Sequence, residues 1–200
     1  MTPSESAHTR NPRGSGAQLR ASIVAAAIDL IDETGDSASL TLRGVARQAG
    51  ISAPSIYAHF PDLAAVTAAV LAESFDQLLA AVRAAMEAEQ DAVASLIAAA
   101  QAYVGFGWEH RARYRLMFAA TGFAPDAVAT FALVEQSIAA CVAAGRSSST
   151  DPHADAFLVW VGVHGMATLE KPDRESLRRL GPLDRPLLLA EMVGRLAKIG

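Results

Sequence analysis

The chain has 200 residues, 52% of them hydrophobic, enough for one large domain or two small ones with a substantial core. Its formal net charge of −4 at pH 7 argues against a protein that coats nucleic acid nonspecifically, whereas a specific DNA binder depends only on charge at the contact face. Cys141 is the single cysteine, which rules out an intramolecular disulfide and any cysteine-based metal motif.

Alanine is abundant and β-branched alternation is scarce, so the expected fold class is all-α. Residues 1–16 are rich in Ser, Pro, Gly, Thr and Arg and read as a flexible arm with no apolar signal-peptide core. A helix is expected from Ala17 to Thr34, with Ile23, Ala27, Leu30 and Ile31 on one face, then a loop over Gly35–Ser39. Thr41 is placed to cap the next helix, in which Leu42, Val45, Ala46 and Ala49 share an apolar face. Gly50 stands where that helix must stop, Ser52 is a fresh N-cap, and Pro54 falls in the first turn of a second short helix. Ile56 and Phe60 point inward, leaving Ser55, Tyr57 and His59 on other faces. A helix-turn-helix of this kind sets its second helix in the DNA major groove.

Pro61 closes that unit, and Asp62 is expected to cap a long helix to Glu89. Further helices are expected over Asp91–His110, Arg111–Ala120, Pro125–Ala144 and Asp151–Glu170, with a break at Thr121–Pro125, a linker at Arg146–Thr150 and a stop at Pro172. Leu177–Leu180 reads as a helical turn, and Asp184 with Pro186 starts the last helix, which ends near Ile199. The longest uncharged apolar run, Ala92–Trp108, falls short of the ~20 residues of a spanning helix, so no membrane partner and a cytoplasmic location are expected.

The run from Leu40 through Gly50, with Ile51, Ser52, Pro54, Tyr57, His59, Phe60 and Pro61, closely resembles the DNA-binding signature of the tetracycline-repressor (TetR) family. YRLMF at 114–118 and W-x-x-x-H-G at 160–165 resemble the C-terminal domain of a TetR subgroup named for its Trp-His-Gly (WHG) signature. The resemblance implies a DNA-binding domain over 17–61 and an effector-binding and dimerisation domain over 62–200. By the same resemblance, Ser52, Ala53, Pro54, Ser55, Tyr57, Ala58 and His59, with Thr41 and Arg43, are the candidate DNA contacts. Tyr57 and His59 suit phosphate; Ala53 and Pro54 suit a thymine methyl group. Leu63 departs from the family, which commonly has a lysine there. Arg10, Arg13 and Arg20 are the candidates to replace that charge.

The second half is rich in aromatic and methionine residues, as an apolar pocket between helices requires. Tyr103, Phe106, Met117, Phe118, Phe131, Trp160 and His164 are the candidate effector contacts, with Tyr103 and His164 as polar handles. Gly105 and Gly107, which each cost a helix roughly 1 kcal/mol against alanine, imply close helix approach or room for a ligand. Phe157, Val161, Leu188, Leu189, Met192 and Leu196 are the candidate dimer contacts. Glu109-His110 and Asp151-x-His153-x-Asp155 hold metal-type ligands, but neighbours at such spacing do not share a helix face. Neither a catalytic site, a metal nor a cofactor is expected.

The expected protein is a dimeric DNA-binding repressor, released from a palindromic operator by a small apolar or amphipathic effector. The alternative is a helical ligand sensor or interaction module without autonomous DNA binding.

Overall fold

The computed structural model describes residues 15–119, 125–169 and 184–200. Among them are nine α-helices, one 3-10 turn and no β-strand. The helices are α1 (Ser15–Thr34), α2 (Leu42–Gln48), α3 (Ala53–Tyr57), α4 (Leu63–Glu87), α5 (Ala92–Glu109), α6 (Arg111–Ala119), α7 (Pro125–Ala143), α8 (Pro152–Thr168) and α9 (Arg185–Leu196). The fold is all-α. The chain divides into two compact units, residues 1–70 and 71–200, with α4 running from one into the other.

In the first unit the core gathers Ile23, Ala27, Leu30 and Ile31 from α1, Val45 and Ala46 from α2, Ile56 from α3 and Phe60 beyond it. Each fully buried Ile, Leu, Val or Phe contributes roughly 1.5–3 kcal/mol, enough to hold helices too short to persist alone. Helix α1 begins at Ser15, two residues before its expected start, and the loop before α2 contains a 3-10 turn at Ser37–Ser39, where Asp36 accepts from the Ala38 N–H. Thr41 caps α2 by accepting from the Gly44 N–H at 3.0 Å. Gly50, at φ 67°, ends α2 with two back-bonds, Gly50 N–H to the Arg47 carbonyl and Ile51 N–H to the Ala46 carbonyl. Ser52 takes the N-cap position of α3 but does not cap it; its hydroxyl pairs with that of Ser55 at 2.7 Å. The expected residues 1–14 of the arm, Thr121–Ala124, Pro172 and the turn at Leu177–Leu180 lie outside the described residues.

The second unit packs α5 at its centre, against α7, α8 and α9. Aspartates start its helices as expected: Asp91 accepts from Val93 and Ala94, Asp151 from Ala154, and Asp184 from Leu187. Gly107 is where α5 meets α8; a Cβ there would lie 2.8 Å from that of Ala167. Gly162 of α8 likewise faces Met192 and Leu196 of α9. Helix α4 is long and apolar enough to cross a membrane by length and composition alone, yet it carries Glu73 and Asp76, and Phe75, Leu78 and Val82 are buried in the unit's own core.

After α9 the chain folds back on the loop before α8. Ser147 bridges Ile199, and the Ser148 N–H donates to the Lys198 carbonyl. Lys198 sits at φ 54°, where glycine is usual, and its ammonium reaches the buried Asp155 at 2.9 Å. The Ser149 hydroxyl donates to the same carboxylate at 2.6 Å. That bond, aided by Lys198 and opposed by burial, holds Asp155 below the usual carboxylate range. A lowered folded pKa stabilises the fold above the unfolded value near 3.8 and ceases to do so as pH falls through the folded value. Asp155→Asn should therefore cost about 1–3 kcal/mol in urea unfolding at neutral pH. The gap between wild type and variant should close in acid, below about pH 4.

Candidate nucleic-acid interface and ligand cavity

Burial on one side of the helix-turn-helix decides what faces out on the other. Ile56 is fully buried and Phe60 nearly so, while Tyr57, between them in sequence, is 59% exposed. Thr41, Arg43, Ser52, Pro54 and Ala58 are exposed as well, and Ala53, Ser55 and His59 are half-buried. An exposed phenol on a five-residue helix adds little to the core, so packing does not account for Tyr57. Arg20 lies with its guanidinium 4.5 Å over the Phe60 ring. It is exposed and lies over the core of the first unit. Arg10 and Arg13 lie outside the described residues.

In the second unit, the expected effector residues divide. Tyr103, Phe118, Trp160 and His164 come together. The His164 ring stacks on Trp160 with centroids 5.6 Å apart and meets the Phe118 ring at 4.6 Å. Phe106 does not join them; its ring lies against His110 at 4.8 Å and beneath the Arg113 guanidinium at 5.6 Å. Phe131 meets the edge of His153 at 5.2 Å, and Met117 is buried in the core. These three therefore face other neighbours than the His164 cluster. Tyr114, assigned no role from sequence, is the hub: its hydroxyl lies 2.7 Å from His164 Nδ1 and donates to the Tyr103 hydroxyl at 3.0 Å. Its place four residues before Phe118 on α6 is the signal that could have found it.

Burial sets the electrostatics of this cluster. It pushes Tyr103 up to about 12, against the opposing hydrogen bond from Tyr114. Tyr114 is raised as well, first by burial and then by Tyr103, and burial lowers His164. All three are therefore neutral near pH 7.

Beside Tyr103 lies a narrow cavity of about 20 Å³, the space open to the centre of a water molecule. Its wall comes from Val82 of α4, Leu96 and Tyr103 of α5, Thr130 and Leu133 of α7, and Val159 and Val163 of α8, with three further apolar side chains. Gly105 does not narrow it, since a Cβ there would meet nothing within 4 Å. Gly107 serves close helix approach.

The expected dimer residues also divide. Phe157, Val161 and Leu188 are exposed, at 48%, 48% and 42%. Leu189 is only 3% exposed and belongs to the unit's own core, so it is not available to a partner. Met192 and Leu196 are half-buried against Gly162. The metal-type residues have other tasks: Asp151 caps α8, His153 pairs with Glu135 at 3.1 Å, and Asp155 holds Lys198. Among the described residues no cluster of three or more His, Cys, Asp or Glu could hold a metal ion.

The family descriptions "Tetracyclin repressor-like, C-terminal domain" and "Bacterial regulatory proteins, tetR family" match residues 96–196 and 23–70. The first alone covers half of the chain. The chain belongs to the TetR family and is a transcription regulator with a helix-turn-helix DNA-binding domain. A protein of unknown function from Rhodococcus sp. RHA1 is similar at 29% identity, with 97% of this chain and 95% of that one covered and a TM-score of 0.68. A tetR-family regulatory protein from Rhodococcus RHA1 shares the fold at 22% identity, with 92% and 98% covered and a TM-score of 0.66. AibR, solved in complex with isovaleryl coenzyme A and operator DNA, shares it at 19% identity, with 91% and 100% covered and a TM-score of 0.62. No curated protein sequence matches the chain.

Gly107→Ala should destabilise the second unit by about 1–3 kcal/mol, because its Cβ meets Ala167 at sub-contact distance. Adding Ala167→Gly should restore most of the loss. A thermal-denaturation double-mutant cycle checks this; additive losses would remove the contact as the cause.

Proposed function

We propose that the protein is a cytoplasmic homodimeric repressor that leaves a palindromic operator when a small, largely apolar effector binds its second unit. The observation that carries the reading is the exposed Tyr57 beside buried Ile56, on a helix held in place by its neighbours. Two copies would place α3 in successive major grooves about 34–36 Å apart. Tyr57, His59, Thr41 and Arg43 would meet phosphates, and Ala53, Pro54, Ser55 and Ala58 the base edges or backbone nearby, with Ser52 at the helix start.

The exposed Phe157, Leu158 and Val161 of α8 and Leu187 and Leu188 of α9 supply apolar surface for a second copy. Tyr103, Phe118, Trp160 and His164 supply the effector's surroundings, with Trp160, His164 and Gly165 supporting kinship with the WHG subgroup. The acyl-coenzyme A bound by AibR is in keeping with an effector that has an apolar part. An effector beside Val82 would touch α4 directly. It would also reach α4 through α6, whose Arg113 donates to Gln77 at 2.7 Å and whose Phe118 meets Phe75 at 5.6 Å. Release then requires different effector affinities for the DNA-bound and free poses of the α4-linked heads.

A mobility-shift assay on DNA flanking the protein's own gene, with salt varied, tests the reading. Absence of binding to any selected DNA would favour the sensor or interaction module, to which Leu63 in the lysine position is suited. Tyr57→Phe should weaken operator binding about tenfold or more with unchanged melting temperature. A fall in stability without loss of affinity would make Tyr57 a packing residue. Val161→Glu or Leu188→Glu should give folded monomers in ultracentrifugation, whereas Leu189→Glu should unfold the chain. A wild type monomeric at micromolar concentration would overturn the dimer.

A further inference from the structure

A phenol has one proton to donate, and that limit orders the whole buried cluster. Tyr114 gives its proton to Tyr103 at 3.0 Å. At the 2.7 Å contact with His164, Tyr114 must therefore accept, and Nδ1 carries the hydrogen. The Tyr103 hydroxyl lies 3.5 Å from the same nitrogen, so it meets a donor there and cannot give its own proton. Tyr103 thus receives on its oxygen and keeps a proton with no acceptor among the described residues. It is 3% exposed and forms part of the cavity wall. Thr130, the other polar residue of that wall, is buried and already has a partner.

The remaining wall is aliphatic and carries no charged group. An anion or ammonium ion entering it would lose its hydration and gain no counter-charge. The same burial that holds Tyr103 and His164 neutral would act on the guest. A donor-only guest would set donor against donor. At about 20 Å³ the space is little more than the ~10–15 Å³ that one water needs, so a guest must be slim and must part the walls as it enters.

From this geometry we infer that the cavity takes a neutral carbonyl compound on a slim aliphatic chain, its C=O oxygen accepting the Tyr103 proton. The inference rests on the effector reading of this cavity and names the chemistry of the effector. Ketones, esters and thioesters share that chemistry.

The test uses the full chain and five probes: methyl hexanoate, its S-methyl thioester analogue, hexane, hexanoate and hexylammonium. Tryptophan fluorescence and thermal shift report binding at pH 7. The ester or the thioester should bind at least about tenfold more tightly than hexane or either ion, and the better of the two identifies the carbonyl source. Tyr103→Phe should remove that preference, so that the ester and the thioester bind the variant no more tightly than hexane does. Should Tyr103→Phe not fold, the carbonyl stretch of isotopically labelled methyl hexanoate on the wild type decides. A shift to lower frequency on binding supports the hydrogen bond, and an unshifted stretch overturns it. Equal binding of hexane and ester, or tighter binding of either ion, overturns the carbonyl inference alone. Failure of all five to bind overturns both it and the effector reading.

Discussion

Helices α5 and α8 touch almost backbone to backbone at Gly107 and Ala167, and much of the second unit follows from that contact. A side chain at Gly107 would collide with Ala167 at 2.8 Å and crowd the Tyr114 ring at 3.3 Å. With the helices this close, Tyr103 on α5 and His164 on α8 flank the same Tyr114 hydroxyl. The hydrogen bonds then compensate the polar atoms that such close packing buries. Helix α6 is fixed in turn, through Tyr114 on one side and through Arg113 and Phe118 against α4 on the other. A backbone contact on one side of α5 thereby positions aromatic groups on three other helices.

The first unit solves a different problem. Its two signature helices have seven and five residues, far below the ~12–15 at which an isolated helix becomes even marginal. They exist because their ends are satisfied and their inner faces are buried. The Thr41 cap, the left-handed Gly50 and the back-bonds across the turn fix the ends, and Val45, Ile56 and Phe60 fix the faces. What remains outside is short, rigid and chemically distinctive.

Local chemistry was therefore legible in the sequence. The α1 stripe of Ile23, Ala27, Leu30 and Ile31, the caps at Thr41, Asp62, Asp91, Asp151 and Asp184, and the glycine stop at Gly50 each depend on residues a few positions apart. Long-range choices were not. Leu187, Leu188 and Leu189 form one apolar run, and only the packing of α9 decides that Leu189 turns inward while its neighbours stay exposed. Phe106 and Phe131 look like pocket residues by type, but each lies against a histidine elsewhere. Tyr114 was hidden among the arginines of α6, where charge suggests a solvated helix. Ser52 had the type of a cap, yet the hydroxyl of Ser55 drew it away from the backbone.

The cavity wall has an evolutionary corollary. Its polar end is committed to a network that runs through Tyr114 and His164, whereas Leu133 and Val134 on α7 carry no such obligations. If the cavity holds the proposed effector, exchanging aliphatic residues on α7 would alter the length and branching of the chain that fits without disturbing the hydrogen bonds or the α6 contacts with α4. Paralogues could thus diverge in the molecule they sense by drifting at a few α7 positions while the linkage to α4 is inherited intact.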